Sequence, residues 1–167
     1  MSKKVTATQI LQQLKIKHAD PSISPPWTFY AEVKSGPSWG QGGKKLYKLD
    51  AVAIKLSWSK PCIYGYEIKV SRSDFLRGRD TALREYTKYC HKFSFVCPPD
   101  VIKISDLPGD VGLIYYSPEH DTLFIKRRAL YREIDLRSPE VVGMLMYLAM
   151  YRANVNNSAT AKAGENT

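Results

Sequence analysis

The sequence predicts an α/β sandwich, with helices flanking a mixed sheet, on three observations. Apolar residues recur with a helical period near the N-terminus, then with the period of strands, then helically again before further strands and a last helix. At 167 residues and 44% hydrophobic content, the chain can fill one core, and its length suits one domain. Strand runs interleaved with helical runs are the pattern of layered α/β architecture.

Residues 5–17 read as a helix. Thr6 and Gln9 have capping-box spacing, and Ala7, Ile10, Leu11 and Leu14 share one face. HADPSISPP (18–26) breaks it with three prolines. Trp27 to Lys34 reads as a strand, followed by the basic, Gly-rich loop SGPSWGQGGKK. Two more strands follow at 49–57 and 63–70, around a turn containing Pro61. From Asp80 to His91 the period is helical, with Ala82, Leu83, Tyr86, Tyr89 and Cys90 on one face and Arg84 and Lys88 on the other. KFSFVCPP (92–99) is a strand stopped by prolines, and VGLIYYS and TLFIKRR make a hairpin around PEHD. Ser138 caps a closing helix with Pro139 at its first position and Val141, Val142, Leu145, Leu148 and Ala149 as its buried stripe. Residues 154–167 form a polar tail, expected to be disordered, so 1–153 is the domain.

The net charge of +9 favours polyanionic partners, nucleic acid first and an anionic membrane surface second. No apolar run reaches the roughly 20 residues that span a bilayer, and MSKKVTATQI has no apolar signal core. Cys62, Cys90 and Cys97 form an odd set without metal-knuckle spacing. They read as buried thiols of a reducing cytoplasm rather than a disulfide framework or a zinc site. No Ser/His/Asp or Cys/His arrangement supports acyl chemistry.

The stretch LDAVAIKLSWSKPCIYGYEIKVSRSDF carries the candidate chemistry. Residues two apart on a strand share a face, so Glu67 and Lys69 project together. Ile68 and Val70 then point the other way, where the helix of 80–91 can bury them. Asp50 opens the neighbouring strand. Residues 1–60 hold ten lysines but only three acids, Asp20, Glu32 and Asp50. Asp20 lies in the proline-rich linker, so Glu32 is the third candidate carboxylate, with a solvated place beside Lys34 as its alternative. Retained acids beside strands in so basic a segment suggest a hard cation such as Mg²⁺, which takes oxygen ligands and bridges to phosphate. A neighbouring lysine can orient the attacking water or stabilise the phosphoryl charge.

Asp50, sixteen residues, then Glu67-Ile68-Lys69 resembles the PD-(D/E)-x-K nuclease superfamily. YEIKVSRSDF, the tyrosine-paired helix, FSFVCPPDVI and GLIYY look like its MmcB-like DNA-repair branch and related phage proteins, over roughly residues 27–117. The resemblance implies a restriction-endonuclease-like αβββαβ core, Mg²⁺ or Mn²⁺ dependence, and hydrolysis of DNA phosphodiester bonds in repair, recombination or phage DNA processing. It implies metal ligation by Asp50, Glu67, the Ile68 carbonyl and, more loosely, Glu32, with Lys69 as the catalytic lysine. A bacterial or phage-infected cytoplasm is the expected setting, and the oligomeric state stays open, a homodimer being one option because related nucleases often pair. Leu49 stands where the family has proline. The first helix holds no acid between residues 5 and 17, so the family's helical glutamate is either replaced by Glu32 or missing. If it is missing, the alternative is a catalytically inactive DNA-binding module of the same fold. Lys44, Lys45 and Lys48, interleaved with Trp39, and Arg72, Arg84 and Lys88 are the expected phosphate contacts.

Overall fold

The computed structural model describes residues 4–20, 22–24, 26–35, 46–55 and 57–150. The loop bearing Trp39, Lys44 and Lys45 and the tail 154–167 lie outside the described residues.

Helix α1 (Ala7–His18) begins with the reciprocal capping box: Gln9 N–H donates to Thr6 Oγ1 at 3.3 Å and Thr6 N–H to Gln9 Oε1 at 2.9 Å. Then come β1 (Trp27–Lys34), β2 (Lys48–Lys55), β3 (Cys62–Ile68), α2 (Arg72–Glu85) with a 3₁₀ turn at Tyr86–Tyr89, β4 (Lys92–Cys97), a 3₁₀ turn at Ile104–Asp106, β5 (Gly112–Ser117) and β6 (Thr122–Arg127). A third helix, α3, occupies 139–150, and Val141 N–H donates to Ser138 Oγ at its start.

The six strands form one mixed sheet in the order β1-β2-β3-β4-β5-β6. β1–β2, β2–β3 and β5–β6 pair antiparallel, whereas β3–β4 and β4–β5 pair parallel. A parallel neighbour needs a crossover, and α2 supplies it between β3 and β4. Helices cover both faces. Ile10 and Leu14 of α1 pack on Ala51, Ala53, Tyr66, Ile68 and Val96. On the other face Phe75 and Ala82 of α2 and Val141, Met144 and Leu148 of α3 join Val52, Ile63, Phe93 and Phe95. Phe75 and Phe93 meet Phe95 edge-on at 5.3 and 5.4 Å, the favoured aromatic geometry. No helix among the described residues is long and apolar enough to cross a membrane.

The structure departs from three sequence expectations. The middle helix starts at Arg72, not Asp80, because Ser71 caps it and Asp74 N–H donates to Ser71 Oγ. It ends at Glu85, and Tyr86–Tyr89 tighten into 3₁₀. Ile68 and Val70 pack in the α1 layer, because strand parity turns Ile63, Gly65 and Glu67 toward α2 instead. The buried stripe of α3 is Val141, Met144 and Leu148, while Val142 and Ala149 are exposed.

Gly65 lets the 3₁₀ turn close onto β3. A Cβ there would stand 2.4 Å from Cys90 Sγ and 3.1 Å from both Leu49 Cδ2 and Phe93 Cδ2. Gly65→Ala is therefore expected to destabilise the protein by about 1–3 kcal/mol through overpacking. Adding Cys90→Ala should recover part of that loss, measured by urea unfolding of the single and double variants.

Candidate active site

Glu67 and Lys69 sit at the C-terminal end of β3, where the sheet changes from antiparallel to parallel pairing. Lys69 N–H donates to the Val96 carbonyl at 2.9 Å, extending the β3–β4 ladder past Ile68. The β2–β3 ladder stops at Ala51–Tyr66. Beyond it the Asp50 carboxylate accepts from Ile68 N–H at 2.7 Å, so a side chain supplies the next rung.

Glu67 and Lys69 are both nearly inaccessible, with side chains 8% and 9% exposed, and Lys69 Nζ lies 2.9 Å from Glu67 Oε1. Glu67 Oε2 is buried and has no hydrogen-bond partner among the described residues. Burial, then the nearby Asp50 charge, pushes the Glu67 carboxyl up to about 7, against the pull of Lys69. Burial also raises Asp50, opposed by the Ile68 N–H and by Lys69. Burial pulls the Lys69 ammonium down, yet Glu67, Asp74 and Asp50 together hold it above the ordinary lysine value. Lys69 is thus a cation at neutral pH.

Three residues that the sequence reading did not place here complete the setting. Asp74, in the first turn of α2, brings Oδ2 to 3.6 Å from Lys69 Nζ. Gly78, one turn on, leaves room for the ammonium, since a Cβ there would lie 3.1 Å from Nζ. Tyr86 is half-buried at the rim, its ring edge-on to Tyr47 at 6.0 Å; burial and the charges of Glu67 and Asp50 push its phenol up to about 12. Ser71 and Asp74 carry the S-x-x-D signature of a helix start, a signal in the sequence that could have moved α2 upstream and brought Asp74 to Lys69.

The other expected site residues divide. Glu32 does not join Asp50 and Glu67: no group of three or more His, Cys, Asp or Glu side chains among the described residues is placed to hold a metal ion. Its backbone is left-handed, with φ 52°, and the β1–β2 register skips it between Ala31 and Val33. Val33 therefore takes the core position, and Glu32 turns to solvent, ion-paired with Lys48 at 2.7 Å. Arg72, expected at phosphate, instead grips Asp106 with two nitrogens and the Val101 carbonyl with one. Arg84 and Lys88 are exposed and share Glu85, each at 2.8 Å. Cys62, Cys90 and Cys97 are buried free thiols.

The carboxylates suit a divalent cation of the Mg²⁺ kind, which commonly uses one or two protein carboxylates and keeps several waters. Burial raises both carboxyls, the Asp50 charge raises Glu67 further, and one Glu67 oxygen is unpartnered; a cation beside them would relieve this.

No family model and no curated protein matches the chain. Among solved structures it is similar to a protein of unknown function from Silicibacter pomeroyi, with a TM-score of 0.60 and 16% identity over 95% of this chain and 90% of that one. At that identity the likeness bears on the fold alone, a mixed sheet flanked by helices.

Glu67 gives the protein a defined pH signature. Its folded-state value of about 7 lies above the ordinary 4.5, so the folded form holds a proton that the unfolded chain releases. That stabilisation is complete below about pH 4.5 and is lost as pH rises to about 7. Glu67→Gln keeps the neutral shape at every pH. In EDTA its stability relative to wild type should climb between these limits, by on the order of 3 kcal/mol at about 1.4 kcal/mol per pH unit, then level off. His18, lowered to about 4 by burial and then by Lys17, destabilises both proteins as pH falls below about 6.5 and cancels in the difference. Thermal unfolding across the pH range reads this, and a flat difference would remove Glu67 as a buried titrating group.

Proposed function

We propose that the protein is a metal-dependent DNA nuclease of the PD-(D/E)-x-K superfamily, hydrolysing phosphodiester bonds in repair, recombination or phage DNA processing. The observation that carries this reading is the unpartnered, buried Glu67 Oε2, on a carboxylate that pairs with Lys69 through Oε1 and is acted on by the Asp50 charge. The element order α1-β1-β2-β3-α2-β4 supports a restriction-endonuclease-like αβββαβ core.

In this reading Asp50 and Glu67, with the Ile68 carbonyl, would hold Mg²⁺ or Mn²⁺, which when bound would supply Lewis-acid polarisation of a phosphoryl oxygen and a more acidic water. Lys69 acts as a cation beside the reacting phosphate. Its ammonium, fixed by Glu67 and Asp74, donates hydrogen bonds to the oxygens where negative charge develops. Burial excludes competing water and strengthens that interaction. Lys48, Arg84 and Lys88, exposed around the rim, contact the DNA backbone, as would Lys44 and Lys45 of the loop. Arg72 is a positioning residue, locking the start of α2 to Asp106.

A second reading, an inactive DNA-binding module of the same fold, is favoured by one observation: Glu32 stands outside the Asp50–Glu67 pair. The two readings part in one experiment. Wild type, Lys69→Ala and Glu67→Ala, each checked for folding by circular dichroism, are incubated with duplex, nicked and branched DNA in Mg²⁺, Mn²⁺ or EDTA. The nuclease reading expects metal-dependent cleavage by wild type and a loss of at least about 100-fold in both variants. Tight DNA binding in EDTA without cleavage on any substrate would establish the inactive module instead.

A further inference from the structure

The far end of the sheet holds a cavity of about 770 Å³ with the opposite electrostatics. Five cations from separate parts of the chain line it: Lys17 in the last turn of α1, Lys55 at the end of β2, Lys60 in the turn before β3, Lys92 at the start of β4, and Arg128 just after β6. No carboxylate among the described residues lines it. None of the five forms an ion pair among the described residues, which include every carboxylate side chain except Glu165. Other cations contrast with them: Arg72 is matched by Asp106, Arg77 by Asp74, Arg132 by Asp110.

Four of the five act on groups of the cavity wall. Burial pushes the Cys62 thiol up, and Lys92, Lys55 and Lys60 all pull against that shift. Arg128 acts likewise on the Tyr64 phenol. Between the cations stand the half-buried rings of Trp27, Tyr64 and Tyr131, with Lys60 Nζ 4.6 Å from the Tyr131 ring centroid. Like charges gathered in a concave site repel one another and focus a strong positive potential, which a multivalent anion neutralises.

We propose that this cavity binds a multiply charged phosphate ligand of nucleotide size, of the nucleoside di- or triphosphate class. Its volume falls in the range of small-ligand sites, about 300–1,000 Å³. The cations suit a phosphate chain, and the aromatic walls suit a planar base. The site is separate from Glu67. Cys62 and Tyr64 lie on the N-terminal half of β3 and Tyr64 packs in the α1 layer, whereas Glu67 lies next to the strand's C-terminal residue on the opposite face. Five residues of strand put about 17 Å between Cys62 and Glu67. The inference therefore stands independently of the nuclease reading.

The test is calorimetry on the full chain in EDTA, at low and high salt, with adenosine triphosphate, inorganic tripolyphosphate and a short single-stranded oligonucleotide. Adenosine triphosphate should bind more tightly than tripolyphosphate, and both should weaken at high salt. Lys17→Gln/Lys60→Gln, which alters two exposed side chains and leaves the core intact, should weaken both ligands by at least about tenfold. Glu67→Gln should leave the binding unchanged. No binding of either phosphate, or binding undiminished in the double variant, would overturn the site. Tripolyphosphate binding as tightly as adenosine triphosphate would overturn the nucleotide assignment. Binding of the oligonucleotide alone would make the cavity part of a nucleic-acid surface and overturn the proposal.

Discussion

Holding Glu67 and Lys69 side by side out of water is the constraint on which the candidate site depends. Desolvating two charges costs more than an ordinary ion pair returns, and removing one partner from such a pair typically costs about 3–5 kcal/mol. The protein compensates unevenly. Glu67 Oε1 receives Lys69, Lys69 also gains Asp74, and Gly78 gives the ammonium space. Glu67 Oε2 receives nothing among the described residues, and the neighbouring Asp50 charge works against it. A pair selected for stability alone would be better satisfied by an apolar couple of the same volume. The residual mismatch is a net negative pocket in a protein of net charge +9.

The sheet explains why the mismatch sits where it does. β3, like β5, has an antiparallel neighbour on one side and a parallel one on the other. On the parallel side the ladder continues through Lys69 N–H, which fixes the backbone beneath both charged side chains. On the antiparallel side it fails one residue pair before Glu67, and Ile68 N–H takes the Asp50 carboxylate in place of a backbone carbonyl. The same hydrogen bond that repairs the ladder draws Asp50 toward Glu67. The β1–β2 edge yields at the matching level, where the left-handed Glu32 drops out of register.

Much of this was legible in the sequence, unevenly and for physical reasons. The capping box at Thr6, the strands and the Ser138 cap are local patterns, and they appear where period and capping chemistry put them. The shared face of Glu67 and Lys69 follows from strand parity alone. Which layer that face meets does not, because it depends on how the crossover returns, and Ile68 accordingly lies under α1 rather than α2. The first half of α2 was hidden because RSDFLRGRD is almost wholly polar, with Phe75 its one fully buried residue there. Asp74 was hidden with it. For Glu32 the sequence left a ligand role and a solvated place open, because nothing in WTFYAEVK announces the positive φ that accompanies its solvent-facing pair with Lys48.

The distribution of charge shows why an average cannot locate a binding site. Cations near Glu67 are mostly tied to carboxylates: Lys48 to Glu32, Arg77 to Asp74, Arg84 and Lys88 to Glu85. Each pair is exposed and screened, so its lysine or arginine can exchange a carboxylate for a phosphate at small cost. Five cations with no ion pair among the described residues line the cavity at the other end of the sheet, with Cys62 and Tyr64. Two sites about 17 Å apart along a strand lie further apart than the roughly 8–10 Å Debye length at physiological ionic strength. Neither can neutralise the other through solvent. The two ends therefore carry separate electrostatic environments, which the net charge of +9 averages into one number.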